Sequence, residues 1–246
     1  IYKQLGDYSY PYVSFYLYNK PNFSLADRPS IVSYNFNEPS TLFNGMISPL
    51  IPYTIKGVVW YQGENNAFRH EEYGELFSLL ISDWRSKWDN DFSFYYVQIA
   101  PYFNYYNSNA PLREVQRKAL EVPKTGMVVT LDIGEKYDIH PSNKHDVGFR
   151  LARYALKNDY KIDLIDSGPL YMSQSIHEDV IKVFFKHFGD GLVLDENRYS
   201  EFEVAGIDKK YFVADVVNQN DFLEVFSDNV KNPLYVRYAW SDTSSA

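Results

Sequence analysis

The sequence predicts an α/β protein, in which a parallel β-sheet flanked by helices is followed by a β-rich C-terminal region. Between residues 57 and 160, short apolar runs alternate with segments whose apolar residues recur every three or four positions, a pattern typical of strands joined by crossover helices. After residue 165 the apolar runs recur about every ten residues, which favours antiparallel strands. With 246 residues, 45% of them hydrophobic, the chain can bury a substantial core.

The first part of the chain divides into a lead-in and an α/β region. Residues 1–40 are rich in Tyr, Asn, Pro and Ser and are interpreted as irregular, apart from an edge strand that could form at 12–18. From 41 to 165 the periodicity predicts helices at 43–55, 73–88, 112–120 and 147–160, and strands at 57–61, 92–100 and 126–131. The strand at 57–61 is apolar throughout, as expected of a buried parallel strand.

The third part, residues 166–246, is predicted to be β-rich. A boundary is expected near Ser167-Gly168-Pro169, where turn-forming residues cluster. The last residues, 242–246, are polar and small and are expected to fray. Strands are predicted at 181–185, 191–194, 202–205, 212–216, 222–226 and 234–240.

Charge and composition argue against several classes of partner. Lys and Arg number 24 against 32 Asp and Glu, a net charge of −8, so nucleic acid is not an expected partner. With no cysteine, disulfides and thiolate chemistry are excluded. No apolar stretch reaches the length of about 18 residues that a membrane span needs. Because the chain opens at Ile1 rather than Met, we expect it to be a mature or excised piece of a longer product.

Polar residues follow the strand predicted at 57–61. Gln62, Gly63 and Glu64 come directly after it, and ligands of open parallel sheets bind at the carboxyl ends of strands. The Gln62 amide could donate to an oxyanion, and Gly63 would allow close approach of the backbone. Glu64 could act as an acid, orient a histidine or accept a buried hydrogen bond. A polar turn that merely caps the sheet explains the same residues.

A histidine and an aspartate lie near the end of the strand predicted at 126–131. His140 is two residues from Asp138, and such a pair suits general-base catalysis, since the carboxylate can orient the ring and stabilise the imidazolium. A surface loop is the alternative interpretation. Arg113 opens a predicted helix on the same side and could bind an acidic sugar, although a solvated face that forms ion pairs is the favoured interpretation.

Seven blocks of the sequence together resemble the sialate O-acetylesterase family of carbohydrate esterases, a branch of the SGNH hydrolases. They occur in the order Phe43-Asn44-Gly45-Met46-Ile47-Ser48-Pro49-Leu50, Ile55-Lys56-Gly57-Val58-Val59-Trp60-Tyr61-Gln62-Gly63-Glu64, Asp83-Trp84-Arg85, Val97-Gln98-Ile99-Ala100-Pro101, Leu112-Arg113-Glu114-Val115-Gln116, Leu131-Asp132-Ile133-Gly134 and Asp138-Ile139-His140-Pro141-Ser142-Asn143-Lys144. The resemblance covers about residues 40–240.

The resemblance implies a flavodoxin-like SGNH-hydrolase sheet and a serine esterase that removes O-acetyl groups from sugars, most of all the 9-O-acetyl group of sialic acids. It makes His140 the catalytic histidine, Asp138 its acid and Gln62 an oxyanion donor. It implies no metal and no organic cofactor, an O-acetylated sugar or sialic acid as substrate, and a secreted or periplasmic location. Asn65 stands where many relatives have Ser.

The nucleophile of that family does not match any block of this chain. It lies in a Gly-Gln-Ser-Asn block near the start of the catalytic domain, and neither that block nor the second-block glycine occurs here. Gly6-Asp7-Tyr8-Ser9 differs from the related Gly-Asp-Ser motif because Tyr8 interrupts it, so Ser9 is not assigned as the nucleophile. Ser48 is the other serine that could lie near the site. We expect the chain to be the C-terminal portion of a catalytic domain whose N-terminal part is a missing partner.

Two other functions stay open at the level of sequence. A glycoside hydrolase would pair Glu64 with Asp132 or Asp138 as its two carboxylates. A non-catalytic carbohydrate-binding relative would keep the fold without the nucleophile.

Overall fold

The computed structural model describes residues 40–106, 108–195 and 201–244, so the predicted lead-in, its edge strand and Ser9 lie outside the described residues. The helices are α1 (His70–Trp88), α2 (Asn109–Lys118) and α3 (Lys144–Asn158). The strands are β1 (Gly57–Trp60), β2 (Ser93–Val97), β3 (Thr125–Val128), β4 (Leu170–His177), β5 (Val180–Lys186), β6 (Phe202–Ala205), β7 (Phe212–Val213), β8 (Asp215–Asn218), β9 (Phe222–Phe226) and β10 (Tyr235–Tyr238).

β1, β2 and β3 form a parallel sheet in that order, which confirms the predicted fold class. β2 is buried along its whole length because helices cover both of its faces. Phe94 and Tyr96 belong to the core that contains residues of α1 and α2, whereas Tyr95 and Val97 pack with residues of α3. The alternation of side chains along a strand thus divides one apolar run between two helical layers.

β1 differs from the buried strand predicted at 57–61. Its residues alternate between exposed and half-buried, and Val59 is 64% exposed. α3 packs on β2 and β3, and among the described residues β1 has a strand partner on one side alone. β1 thus has the apolar composition of an interior strand but is an edge strand in the described part of the chain.

The predicted helix at 43–55 is a shorter, irregular segment. A π-turn at Phe43–Ile47 leads into a 3-10 turn at Ser48–Leu50, and prolines at 49 and 52 prevent a longer helix because each lacks a backbone donor. Further 3-10 turns occur at Glu64–Arg69 and Ala119–Glu121. None of the helices in the described ranges combines the length and the apolar character that crossing a membrane would require.

The C-terminal region contains two antiparallel sheets, as its turn spacing predicts. One has the order β4-β5-β9-β8 and the other β10-β6-β7, and both contribute to one apolar core. The prediction of a strand at 191–194 is wrong. Leu192 instead lies in a loop, where its amide and carbonyl bond to Asn220 and Asn218 at 2.7 Å each. β4 was not predicted, because most of its residues are exposed and alternate poorly.

Candidate functional site

The carboxyl ends of β1, β2 and β3 meet at one edge of the sheet because the strands are parallel. Two hydrogen bonds join the loops that leave this edge. The Phe103 amide donates to the Lys136 carbonyl at 2.7 Å and links the loops after β2 and β3. The Tyr102 hydroxyl donates to the Glu64 carbonyl at 3.4 Å and links the loops after β2 and β1. The loops that follow the three parallel strands therefore lie side by side.

Gln62 follows β1 and is half-buried. Its side-chain amide donates to Asn66 Oδ1 at 2.7 Å, and its carbonyl accepts from the Tyr73 hydroxyl at 3.0 Å. Because a primary amide carries two N–H donors, the second has no partner among the described residues after the bond to Asn66. The Asn66 contact restrains the side chain, so that remaining donor has a restricted direction.

Gly63 is required by both its conformation and its surroundings. Its φ is +153°, where residues with a side chain are strained. A Cβ at this position would lie 3.1 Å from Ile99 Cγ2 and 3.2 Å from Gln116 Nε2. The glycine therefore lets the turn after β1 lie directly against α2 and the segment that follows β2.

Gln116 of α2 holds this close packing together. Its side chain is buried, accepts from the Ile99 amide at 2.9 Å and donates to the Val97 carbonyl at 3.3 Å. The same amide nitrogen lies 3.5 Å from the Gln62 carbonyl. Sequence reasoning placed Gln116 in the helix but assigned it no role. The available signal was its spacing of four from Leu112, which puts both residues on the buried face.

Glu64 begins the 3-10 turn after β1 and is half-buried. Burial, with the nearby Glu64 carboxylate as the second cause, raises the pKa of Tyr61 to about 12 and that of Tyr102 to about 12. Both hydroxyls therefore stay protonated donors at neutral pH. Glu64 thus contributes a negative charge near the loops that follow β1 and β2. Its role in substrate binding stays a prediction.

His140 and Asp138 are exposed on the loop after β3. Asp138 Oδ1 accepts from the His140 backbone amide at 2.7 Å, so the carboxylate fixes the backbone that carries the histidine. Glu135 restrains the same loop by accepting from the amide and hydroxyl of Ser142, each at 2.6 Å. A bond from Asp138 to the imidazole ring stays a prediction.

Lys144 contacts residues next to both His140 and Gln62. Its ammonium donates to the Pro141 carbonyl and lies 5.2 Å from the ring centroid of Tyr61, the residue that precedes Gln62. The residue after His140 and the residue before Gln62 therefore share one lysine, which supports the prediction that both polar groups occupy one site.

Asp132 is already paired. Both its carboxylate oxygens accept from the Arg150 guanidinium, at 2.7 and 2.5 Å, and these hydrogen bonds lower its pKa. A carboxylate held in this way is a poor proton donor. The glycoside hydrolase alternative therefore loses one of the carboxylates it would use.

Arg113 is buried, and its guanidinium donates to the carbonyls of Ala239, at 2.9 Å, and Ser241. Burial lowers its pKa to about 10, although the charges of Asp242 and Glu201 oppose the change. The described contacts of Arg113 thus join α2 to the C-terminal segment. Its role in binding an acidic sugar stays a prediction that these contacts do not support.

Comparison with known proteins adds a family match and related structures. The family model for carbohydrate esterases described as sialic acid-specific acetylesterases matches residues 31–157. The sialate O-acetylesterase of Mus musculus is 33% identical over 165 residues, 58% of this chain and 30% of that protein. The Rattus norvegicus sialate O-acetylesterase is 34% identical over 154 residues, 53% of this chain and 28% of that protein.

A solved structure extends the similarity into the C-terminal region. The crystal structure of a carbohydrate acetylesterase from Xanthomonas citri superposes with a TM-score of 0.79 at 36% identity, covering 84% of this chain and 50% of that one. The chain spans 28–30% of the length of the two rodent relatives it matches.

Proposed function

The chain belongs to the sialic acid-specific acetylesterase family of carbohydrate esterases, and we propose that it supplies the histidine, acid and oxyanion-donor part of a serine esterase site that hydrolyses O-acetyl groups on sugars. One observation carries this proposal: the loops bearing Gln62 and His140 lie together at the carboxyl edge of the sheet, joined through Lys144. O-acetylated sialic acids, above all those acetylated at position 9, are the proposed substrates.

The proposed reaction is acyl transfer through a serine ester. The neutral imidazole of His140 takes the serine proton as the hydroxyl oxygen attacks the acetyl carbonyl, and the imidazolium then protonates the sugar oxygen as it leaves. In the second half, His140 activates water, which attacks the acetyl-serine and releases acetate. The free N–H of Gln62 donates to the oxyanion in both tetrahedral intermediates.

Asp138 is proposed to act in two ways. Its Oδ1 holds the His140 backbone, and its second oxygen would accept from the ring and stabilise the imidazolium. Comparing Asp138→Asn with Asp138→Ala separates these roles, since asparagine keeps an acceptor for the backbone amide without the charge. If the charge matters, both variants lose turnover; if only the backbone bond matters, Asp138→Asn keeps nearly full activity.

The serine and the glycine donor are proposed to come from the N-terminal part of the enzyme, which would add strands beside β1. Among the described residues β1 has a strand partner on one side alone. This supports the arrangement because an interior-type strand gains most from a second partner. A secreted or periplasmic location is proposed with it.

Acetate release tests the proposal. The full-length protein should release acetate from an O-acetylated sialic acid, and His140→Ala should lower kcat by about 10²–10⁴-fold, the usual contribution of a general base. His145→Ala is the matched control, because His145 is exposed five positions later on α3 and, among the described residues, pairs with its neighbour Asp146 at 3.2 Å. No acetate release by the wild-type protein would contradict the proposal and favour a non-catalytic sugar-binding relative.

A further inference from the structure

Five aromatic side chains are exposed on the three loops that leave the carboxyl edge of the parallel sheet. Their exposed fractions are 44% for Phe68, 51% for Phe103, 89% for Tyr105, 74% for Tyr106 and 84% for Tyr137. We call these five residues the aromatic rim. Exposed rings clustered at one edge of a protein mark a binding surface more often than isolated exposed residues do.

Two ring contacts and a backbone hydrogen bond link members of the rim across the loops. Phe103 and Tyr105 make an edge-to-face contact with ring centroids 5.2 Å apart. Phe68, from the loop after β1, lies 6.0 Å from Tyr106, from the loop after β2. The hydrogen bond from the Phe103 amide to the carbonyl of Lys136 then brings the neighbouring Tyr137 to the same edge.

Asn104 fixes the loop that carries three of the rings. Its amide nitrogen donates to Asn109 Oδ1 at 3.0 Å and to Ser108 Oγ at 3.2 Å, while its oxygen accepts from the Tyr106 amide at 3.0 Å. The rings are therefore presented on a restrained backbone. A surface ordered before binding loses less conformational entropy when a ligand arrives.

We propose that the aromatic rim is a glycan subsite, in which tyrosine and phenylalanine rings stack on the C–H face of the pyranose ring that carries, or neighbours, the acetyl ester. This inference rests on the proposed function, since it places the sugar beside Gln62 and His140. A pyranose has an apolar face and a polar edge, and a tyrosine matches both with its ring and its hydroxyl. The rim therefore selects sugar esters over acetyl esters that have no ring.

Kinetics with two esters test the selection. The full-length protein is assayed with an O-acetylated N-acetylneuraminic acid and with triacetin, an acetyl ester without a ring. Tyr105→Ala and Tyr137→Ala should each raise KM for the sugar ester about two- to tenfold, the range of one aromatic contact, with little change in kcat and none for triacetin. Tyr105→Phe should raise KM for the sugar ester less than Tyr105→Ala does, because it keeps the ring and lacks only the hydroxyl.

Tyr160→Ala is the matched control, because Tyr160 is also an exposed tyrosine (62%) but lies beyond the C-terminal end of α3 and beside Lys56, at the opposite edge of the sheet. It should leave both substrates unaffected. Equal losses for both esters in the Tyr105 and Tyr137 variants, or no loss in either, would overturn the rim assignment while leaving the esterase proposal intact.

A binding measurement decides the inference independently of turnover. In saturation-transfer NMR with N-acetylneuraminic acid, the wild-type protein should transfer saturation to the ring protons of the sugar. The double variant Tyr105→Ala/Tyr137→Ala should lose this transfer. Absence of saturation in the wild type, or equal saturation in the variant, would overturn the proposal. A protein that binds the sugar through the rim but hydrolyses neither ester would contradict the esterase function alone.

Discussion

Asp242 Oδ1 accepts a hydrogen bond of 2.8 Å from the backbone amide of Asn109, 133 residues earlier in the chain. Asp242 thereby caps the first turn of α2, whose backbone donors have no partner within the helix. Arg113, one turn further along, donates to two carbonyls of the same C-terminal segment. These contacts anchor the helix that carries Gln116. Because Gln116 bonds to the backbone of Val97 and Ile99, they also help to hold the segment after β2 in place.

Removing the Asp242 cap should destabilise the protein. Asp242→Ala leaves the buried Asn109 amide without its acceptor and removes a negative charge that acts on the buried Arg113, so the free energy of unfolding should fall by about 1–3 kcal/mol. Urea denaturation measures the change. Asp163→Ala, at an exposed position, should change it by less than about 0.5 kcal/mol, and a similarly small effect at Asp242 would contradict the capping role.

The same residue shows where sequence reasoning reaches its limit. The polar character of residues 242–246 predicts fraying, yet Asp242 and Ser244 are buried. Their partners are distant in sequence, as Asn109 is, and no local pattern encodes such contacts. By contrast, the order of the parallel strands and the clustering of polar loops follow from local apolar periodicity, because crossover connections leave parallel strands few alternative arrangements.

In the candidate site, too, some features could be predicted from the sequence and others could not. Gln62, Asp138 and His140 were predictable because each lies in a short block next to a strand end. The pairing of Asp132 with Arg150 was not, since an isolated carboxylate in a loop looks equally suited to catalysis. The exposure of β1 was also missed, because composition records how apolar a strand is and not which neighbours are present.

Acid should weaken the Asp132–Arg150 pair. Hydrogen bonds from Arg150 lower the pKa of Asp132 below its ordinary value of 3.8, so the unfolded chain takes up this proton first as the pH falls. The stabilisation is complete above pH 3.8 and is lost as the pH drops through the lower folded-state pKa. The effect is small, because Asp132 is half-exposed and solvent screens the pair.

Comparison of the wild type with Asp132→Asn isolates this contribution. Thermal unfolding between about pH 5 and pH 2 should show a steeper loss of Tm for the wild type than for Asp132→Asn, because the variant carries no titrating group at that position. Parallel Tm curves would show that Arg150 contributes nothing to the acid sensitivity of folding.

Substitution of Gly63 should be costly. In Gly63→Ala the new Cβ meets Ile99 Cγ2 at 3.1 Å, and the backbone holds a φ of +153° that alanine avoids. We expect a loss of about 1–3 kcal/mol in the free energy of unfolding, measured by urea denaturation. Gly148→Ala gives a control of opposite sign: Gly148 lies within α3, and a Cβ added there would have no neighbouring atom within 4 Å, so alanine should stabilise by about 0.5–1 kcal/mol. A neutral Gly63→Ala would contradict the close packing of the turn.

The nucleophile is expected outside residues 1–246. Ser142, the serine nearest His140 in sequence, donates its hydroxyl to Glu135 at 2.6 Å, and Ser48 begins a 3-10 turn rather than following a strand of the parallel sheet. A fluorophosphonate probe, which bonds covalently to activated serines, should therefore leave this chain unlabelled and label the full-length protein at a Gly-x-Ser block.

His140 supplies the internal control for that labelling. Serine is a weak nucleophile without an adjacent base, so His140→Ala should abolish labelling of the full-length protein, whereas His145→Ala should preserve it. Mass spectrometry of tryptic peptides identifies the labelled serine. Stoichiometric labelling within residues 1–246 that disappears in His140→Ala would show that the site is complete in this chain and that the serine was missed, because its activation would then depend on a contact that no sequence block reveals.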